Sequence, residues 1–399
     1  MPITGAFTRT LAATLAVGAL VSIPAAHATP PETGVSAEPG SAAGTLITDT
    51  TQPDGWHNLW GGSAVEYWTA RSNGEPVKAS GALFVPAGQP PAGGWPIMAW
   101  DHGTTGLGPG CGCQADPERE VLPYRRREEE LIMRFFLNKG YAVVAPDYIG
   151  LGLFDTGPHP YLEISTEAGA TIDLVKAARA ARPELSRTWA VSGASQGGHA
   201  ALGSSSYQVR TAPELDFRGT IALDPASDVE KVLPIAGPWV PALPGPSGQD
   251  TNAFFVSILV GMRATRPDAQ VDSYLSDYGR QLLDSIQYEC LGELTDRMAG
   301  VDTGAILSRS LSEGPFQAVL RDYMTVATRG YDAPILLLIN TTDTTVPSPL
   351  HAALMAQFAA NGVDFSSVLG TGGHTEVNPA MWAAMNAFTD RIFAAPTVS

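Results

Sequence analysis

Basic residues are scarce in this chain of 399 residues, in which 24 Lys and Arg stand against 40 Asp and Glu for a formal net charge of −16. A surface of that sign repels phosphate backbones and anionic headgroups, so we expect no binding to nucleic acid. Charged residues of both signs make up only 16% of the chain, and hydrophobic residues make up 44%. Most of the chain can therefore bury a core, and disorder throughout is excluded.

Several well-known chemical motifs are missing. The sequence has no H-E-x-x-H, no C-x-x-C, no carboxylate cluster at metal-ligand spacing and no G-x-x-x-x-G-K-[ST] loop. These absences argue against zinc, dithiol and P-loop phosphate sites. We therefore expect no metal and no organic cofactor.

No apolar run in the sequence is long enough to span a bilayer. Residues 1–28 have the pattern of an export signal, with Arg9, the apolar stretch Leu11–Val21 and the small-x-small sequence A-H-A at 26–28. Residues 29–50 are mostly small, polar or proline, which predicts a flexible leader. The sequence thus predicts a soluble protein that is secreted and extracellular.

Cysteine is also scarce, with three residues in the chain. An exported protein can form disulfides, and three cysteines allow one bridge with one thiol left over. Cys111 and Cys113 are too close in sequence to pair comfortably, so Cys290 is expected to pair with one of them. Three unpaired thiols are the alternative.

Apolar runs and helical spacing alternate along most of the chain. Tyr141–Ala145 is typical of a buried strand, and Thr166–Arg182 has the spacing of a helix. This alternation predicts an α/β fold with a mostly parallel central sheet and helices on both faces. The charged run Arg125–Glu130 precedes a helix predicted over Leu131–Gly140 and is interpreted as its solvated start.

The alternation breaks between residues 228 and 329, where a Pro/Gly cluster is followed by helical segments. We interpret 228–329 as a mainly helical insertion, called the cap below. The catalytic domain is then predicted over 51–227 and 330–399. The apolar residues of the cap fit two functions equally well, lining an acyl tunnel or packing a small core.

The sharpest motif is the G-x-S-x-G pentapeptide Gly193–Gly197, centred on Ser195. Alone it is a weak signal, but a strand is predicted over Thr188–Ser192 directly before it and a helix over Gln196–Val209 directly after it. A nucleophile in a tight strand-to-helix turn needs this arrangement, because the two glycines relieve crowding while the serine oxygen stays exposed. Ser195 is therefore the candidate nucleophile.

A serine hydroxyl needs a base, which in this arrangement follows the serine in sequence. His374 lies in the glycine-rich segment G-T-G-G-H-T-E, after the last predicted strand and before the last helix. A loop there lets the imidazole reach over the sheet edge. His199 and His351 fall within helical patterns and are less suitable.

The base in turn needs an orienting carboxylate. Asp343 follows an apolar strand that ends at Asn340, which places it at the carboxyl end of the sheet. Asp364 precedes its strand, and Glu376 is only two residues from His374. Asp343 is therefore the candidate acid.

Acyl transfer also requires hydrogen-bond donors for the developing oxyanion. The backbone N–H of Gln196, directly after the nucleophile, is the first candidate. The second is the N–H of Gly103 or Thr104, in the D-H-G-T-T-G turn at 101–106 after a predicted strand.

These segments together resemble the secretory lipase family of α/β-hydrolases, the lipase A type known from fungi and actinobacteria. The resemblance extends over about residues 50–393 and is weakest in the cap. The motifs that carry it are DHGTTG at 101–106, PDYIGLG at 146–152, HPYL at 159–162, SGASQGGHA at 192–200, TTDTTVP at 341–347 and GGHTEVNP at 372–379.

The resemblance implies an exported acyl-ester hydrolase with a helical lid and a disulfide that joins the loop after HGTTG to the lid. Ser195, Asp343 and His374 match the nucleophile, acid and base of the family, and Gln196 with Gly103–Thr104 matches its oxyanion region. Cys290 matches the lid cysteine. The doubled Cys111-Gly112-Cys113 departs from the single loop cysteine of the family, and we favour Cys111 as the partner. His159 and Tyr161 are interpreted as ordering a loop near the site.

The resulting hypothesis is a secreted serine hydrolase that cleaves the carboxylic esters of acyl lipids through an acyl-enzyme. Its substrate would be a small-molecule or lipid ester, with transient contact to a lipid interface through the cap, and no protein partner is implied. The alternatives are a peptidase, a polyester or phenolic-ester hydrolase, or a binding protein that does not catalyse.

Overall fold

A computed structural model describes residues 40–52, 59–60, 62–116, 118–119, 121–242 and 245–399. The predicted export signal and the first part of the predicted leader lie outside these residues. The strands are β1 Leu46–Thr51, β2 Gly62–Ala70, β3 Pro76–Phe84, β4 Trp95–Asp101, β5 Ala142–Pro146, β6 Leu185–Ala194, β7 Asp216–Leu223, β8 Ile335–Asn340 and β9 Phe365–Gly370. The helices are α1 Pro123–Asn138, α2 Ile164–Ala181, α3 Gln196–Thr211, α4 Val229–Val232, α5 Gly245–Thr265, α6 Asp277–Ile286, α7 Leu291–Arg297, α8 Thr303–Ile306, α9 Phe316–Met324, α10 Ser348–Ala360 and α11 Pro379–Ile392.

The nine strands form one sheet in the order β1-β2-β3-β5-β4-β6-β7-β8-β9. The pairs β1–β2, β2–β3 and β3–β5 are antiparallel, and the pairs from β5–β4 to β8–β9 are parallel. The predicted fold class, a mostly parallel sheet, is confirmed. Because the parallel strands share one direction, the loops after β4, β6, β7, β8 and β9 emerge at one edge of the sheet.

Helices cover both faces of the sheet, and alternate residues of β4 show how. Met98 and Trp100 pack with residues of α1 and α11, whereas Ile97 and Ala99 pack with residues of α2 and α3. Successive side chains of a strand point to opposite faces, so a strand buried on both sides is continuously apolar. This explains why the apolar runs identify the central strands.

Two segments differ from the expectations. The leader predicted to end at residue 50 ends earlier, because Leu46–Thr51 forms strand β1 along the edge of β2. Its Ile and Thr residues favour the extended chain. Most residues of the segment are polar, so its sequence pattern does not indicate a strand.

Helix α1 begins at Pro123, and Arg126, Glu129 and Glu130 are buried. The expectation that the run Arg125–Glu130 is wholly solvated is therefore wrong.

All the helices from α4 to α9 lie between β7 and β8, within the range predicted for the cap. Their apolar side chains, among them Phe255, Leu283 and Leu320, pack into one core that also includes Leu107 and Tyr161 outside the cap. Most of the apolar residues of the cap are thus used for packing. Within the described part of the chain, no helix combines the length and the apolarity needed to cross a membrane.

Candidate active site

Ser195 lies at the junction between β6 and α3, in a turn that the flanking glycines make possible. Its φ of +58° is in the left-handed region, which non-glycine residues rarely adopt. A Cβ on Gly193 would lie 2.1 Å from the carbonyl oxygen of Gly197, and a Cβ on Gly197 would lie 1.8 Å from that of Asp101. The chain can therefore turn this tightly only with glycine at both positions.

His374 and Asp343 meet Ser195 at the same edge of the sheet. The Nε2 atom of His374 is 2.7 Å from Oγ of Ser195, and Nδ1 is 2.6 Å from Oδ2 of Asp343. With its proton on Nδ1, the neutral imidazole donates to the carboxylate and accepts from the serine hydroxyl. The structure thus brings the three predicted residues into one hydrogen-bonded chain, supplied by the loops after β6, β8 and β9.

The carboxylate of Asp343 is held by several donors besides His374. The backbone N–H groups of Thr345 and Val346 donate to Oδ1 at 2.8 and 3.1 Å, and Nε2 of the buried His351 is 3.4 Å from Oδ2. Burial raises the pKa of Asp343, but the hydrogen bonds from His351 and His374 outweigh it and leave the pKa well below its usual range. Asp343 is therefore ionised at neutral pH, as an orienting carboxylate must be.

The predicted oxyanion donors lie on the other side of the nucleophile. Gly103 is so close that a Cβ on it would contact the Ser195 Cβ at 3.7 Å. The Thr104 and Tyr161 hydroxyls are 2.8 Å apart, and the Arg125 guanidinium donates to the Thr104 carbonyl. Gln196 is the first residue of α3, where backbone N–H groups have no partner within the helix. The structure therefore gathers all three candidates around Ser195.

A buried polar network, which the sequence did not predict, lies beneath the nucleophile. The side-chain Nε2 of Gln196 donates to Oε1 of Glu167 at 2.8 Å and lies 2.7 Å from Nε2 of His159. Nδ1 of His199 is 2.7 Å from Oε2 of Glu167, and its Nε2 is 2.8 Å from the carbonyl oxygen of Met324, the last residue of α9. Burial lowers the pKa of His159 to about 4, so its ring is neutral and can accept from Gln196. The network fixes the start of α3 and ties it to the cap.

The only cue in the sequence for this network was a charged residue among the small and apolar residues that begin a predicted helix. Glu167 lies in the first turn of α2 and is completely buried. A buried carboxylate requires hydrogen-bond partners, but the sequence does not say which residues supply them. The backbone N–H of Leu162 donates to Oε1 at 3.1 Å, and the side-chain partners lie 29 and 32 residues further along the chain.

A disulfide between Cys111 and Cys290 joins the loop after β4 to the start of α7. Two backbone hydrogen bonds support the same junction, from the N–H of Leu107 to the Glu289 carbonyl at 3.0 Å and from the N–H of Leu291 to the Thr105 carbonyl at 2.7 Å. Cys113 is a buried free thiol. The loop that carries the oxyanion candidates is therefore fastened directly to the cap.

Two cavities adjoin the nucleophile. A narrow one of about 30 Å³ runs between Ser195 and apolar side chains that include Trp100, Ile132 and Leu223. A wider cleft of about 640 Å³ lies over Ser195 and His374 and is lined by both polar and apolar groups. The cap, α1 and the residue directly before α1 contribute Leu122, Tyr124, Glu128, Asp250, Phe254, Leu291, Thr295 and Asp296 to its walls.

One group of side chains in the described residues has the spacing of a metal site. The ligand atoms of Asp224, Asp343 and His351 all lie within 4.8 Å of one another. The carboxylate oxygens already accept N–H donors from Asn340, Thr375 and the loop after β8. A cation here would replace those bonds, so we assign the group to hydrogen bonding.

Comparisons with known proteins agree with this architecture. The model of the secretory lipase family matches residues 124–399. A search of curated protein sequences finds no match. The structure of lipase A from Candida antarctica is similar with a TM-score of 0.71 and 18% identity, over 90% of this chain and 84% of that one.

A second similar structure is the rice cell wall degrading esterase LipA from Xanthomonas oryzae. It gives a TM-score of 0.66 at 22% identity, over 88% of this chain and 97% of the esterase. At such identities the likeness establishes the fold alone, which is that of the α/β-hydrolases.

Proposed function

Because this chain belongs to the secretory lipase family, we propose that it is an exported serine hydrolase that cleaves carboxylic ester bonds. The observation that carries the proposal is the continuous hydrogen-bonded chain from Ser195 through His374 to Asp343 at the floor of an open cleft. The family name and the disulfide between Cys111 and Cys290 support an extracellular location.

The geometry supports an acyl-enzyme mechanism. Nε2 of His374 takes the proton of Ser195 as Oγ attacks the ester carbonyl carbon, and the negative charge moves to the carbonyl oxygen. The N–H of Gln196 and that of Gly103 or Thr104 stabilise this oxyanion. His374 then gives its proton to the departing alcohol oxygen, and a water repeats the sequence to release the acid. Asp343 holds the imidazole tautomer and stabilises its cationic form.

We propose esters of acyl lipids as the substrate class, with transient contact to a lipid interface through the cap. Two apolar side chains of the cap support the contact, since Ile235 is 68% exposed and Trp239 is 63% exposed. Exposed apolar residues close together are typical of surfaces that meet a membrane or a ligand. Phe254 and Leu291 give the cleft itself an apolar wall for an acyl chain.

The charge of the cleft favours a second candidate, namely short-chain esters of polar or cationic alcohols. Glu128, Asp250, Asp296 and Glu376 line the cleft together with a single cation, Arg125. A triacylglycerol would have to place the two acyl chains that are not being cleaved against these carboxylates, which is unfavourable. The same carboxylates attract a cation and repel an anion. Acetylcholine should then be cleaved faster than its uncharged isostere 3,3-dimethylbutyl acetate, whereas the first candidate predicts no preference.

A p-nitrophenyl ester series from acetate to palmitate tests the proposed function. The mature wild-type protein should hydrolyse these esters, and Ser195→Ala should retain only residual activity. A fluorophosphonate should label the wild type but not this variant. Activity that extends to palmitate supports the lipid ester. Activity confined to short chains supports the second candidate. No activity on any ester, or activity retained by Ser195→Ala, would refute the proposal, and cleavage of amides instead would indicate a peptidase.

A further inference from the structure

Asp224 is a buried carboxylate at the same sheet edge, and the mechanism above does not use it. It directly follows β7, is fully buried and has a φ of +40°. Its Oδ1 accepts the backbone N–H of Asn340 at 2.7 Å, and its Oδ2 accepts the side-chain Nδ2 of Asn340 at 2.8 Å. Oδ2 also accepts the backbone N–H of Thr375 at 2.8 Å. One carboxylate thus joins the ends of β7 and β8 to the residue directly after His374.

Asn340 extends this contact to both sides of His374. Its Nδ2 donates to the carbonyl of Glu376 at 3.0 Å, and its Oδ1 accepts the N–H of Gly372 at 3.2 Å. Together with Asp224, it therefore holds backbone groups at positions 372, 375 and 376. We call residues 371–376 the histidine loop.

The histidine loop has little else to fix its backbone. It contains two glycines, and Gly373 has no atom within 4 Å of the position of a Cβ. Thr375 has a φ of +63°, a conformation that costs energy in a non-glycine residue. Among the described residues, the other side-chain bonds to the loop backbone come from Thr342 and from Thr375 and Glu376 of the loop itself. The bonds from Thr342 and Glu376 are exposed. A glycine-rich segment of this kind loses its conformational freedom only when fixed contacts hold it.

We propose that Asp224 and Asn340 act as a loop clamp, a pair of positioning residues that keeps His374 within hydrogen-bond distance of Ser195. This role rests on the proposed function of His374 as the base. The clamp contacts only backbone groups of the histidine loop, whereas Asp343 bonds the imidazole itself. Asp343 is therefore the orienting acid, and Asp224 determines where the loop presents the ring.

The sequence around the clamp fits this assignment. A Cβ on Gly370, the last residue of β9, would lie 2.6 Å from Oδ1 of Asn340 and 2.7 Å from Nδ2 of Asn378. Glycine at this position lets the amide of Asn340 reach the histidine loop. Because an error of about 1 Å in a catalytic group can lower the rate about 100-fold, loss of the clamp should act on turnover more than on substrate binding.

The test compares Asp224→Asn with Asp228→Asn, a matched control. Asp228 is also buried with a positive φ, and its carboxylate accepts from Lys231 and Gln357, away from the histidine loop. In Asp224→Asn the kcat for p-nitrophenyl acetate should fall about 10- to 100-fold with KM within about twofold of wild type. Asp228→Asn should keep the wild-type kcat. Asn340→Ala, which retains the bond from Thr375 to Asp224, should give a smaller loss of the same kind.

Hydrogen–deuterium exchange provides a readout that needs no activity. Peptides covering 370–377 should exchange faster in Asp224→Asn and in Asn340→Ala than in wild type, while peptides from β6 and α3 stay unchanged. Wild-type kcat and wild-type exchange in both variants would overturn the clamp, as would an equal fall of kcat in Asp228→Asn. If Asp224→Asn does not fold, Asn340→Ala decides between these outcomes. A wild-type protein without any ester hydrolysis would instead refute the proposed function, and the exchange experiment would still test the clamp.

Discussion

Removal of the disulfide between Cys111 and Cys290 is expected to lower the free energy of unfolding by about 3 to 5 kcal/mol. The two cysteines are 179 residues apart, and for a loop of that length the chain-entropy relation gives about 5 kcal/mol at 25 °C. The backbone hydrogen bonds of Leu107 and Leu291 remain at the junction. Because they keep the folded state in place, the loss comes from the greater freedom of the unfolded chain.

The measurement is equilibrium unfolding in urea of the double variant Cys111→Ala with Cys290→Ala. Cys113→Ala is the matched control, since it removes a cysteine from the same loop but no cross-link. The control should stay within about 1 kcal/mol of wild type, and wild type under reducing conditions should match the double variant. A double variant as stable as the control would refute the reasoning and would mean that the loop and the cap stay together in the unfolded chain.

Three further predictions follow from single contacts. Asp343→Asn should lower kcat about 10⁴-fold while the far-UV circular dichroism stays unchanged, because an amide favours the wrong imidazole tautomer; a loss below tenfold would contradict the assignment. Gly197→Ala should abolish folding or activity, since the new Cβ would lie 1.8 Å from the Asp101 carbonyl oxygen. The control Gly292→Ala should keep the wild-type Tm, because no atom lies within 4 Å of the position of its Cβ. Burial lowers the pKa of His159 to about 4, so its ring should stay neutral down to about pH 5. As the pH falls from about 6.5, His159 takes up a proton in the unfolded chain before it does so in the folded protein, so the free energy of unfolding decreases. An NMR signal of the His159 ring that titrates near pH 6.5 would contradict this prediction.

The residues of the proposed triad were accessible from the sequence because each one carries a local signature. Ser195 has its glycines and its flanking strand and helix, His374 has a glycine-rich loop, and Asp343 follows an apolar strand. Local spacing reflects local backbone geometry, and the order of the strands then brings the three loops to one edge.

The supporting residues have no such signature. Asp224 contacts a residue 151 positions away, and Glu167 contacts residues 29 and 32 positions away. Their importance depends on which loops become neighbours after folding, and a single sequence does not contain this information. The same reason explains β1, whose pairing with β2 rather than its own apolar pattern makes it a strand.

The position of the cap in the chain has a consequence for biosynthesis. Ser195 is made 179 residues before His374, and the whole cap is translated between them. A growing chain therefore carries the proposed nucleophile without its base while 179 further residues are added. The proposed triad is complete only after β9 has joined the sheet and the histidine loop lies beside Ser195. Under the proposed function, this order of segments would keep the unfinished chain inactive towards esters inside the cell that makes it.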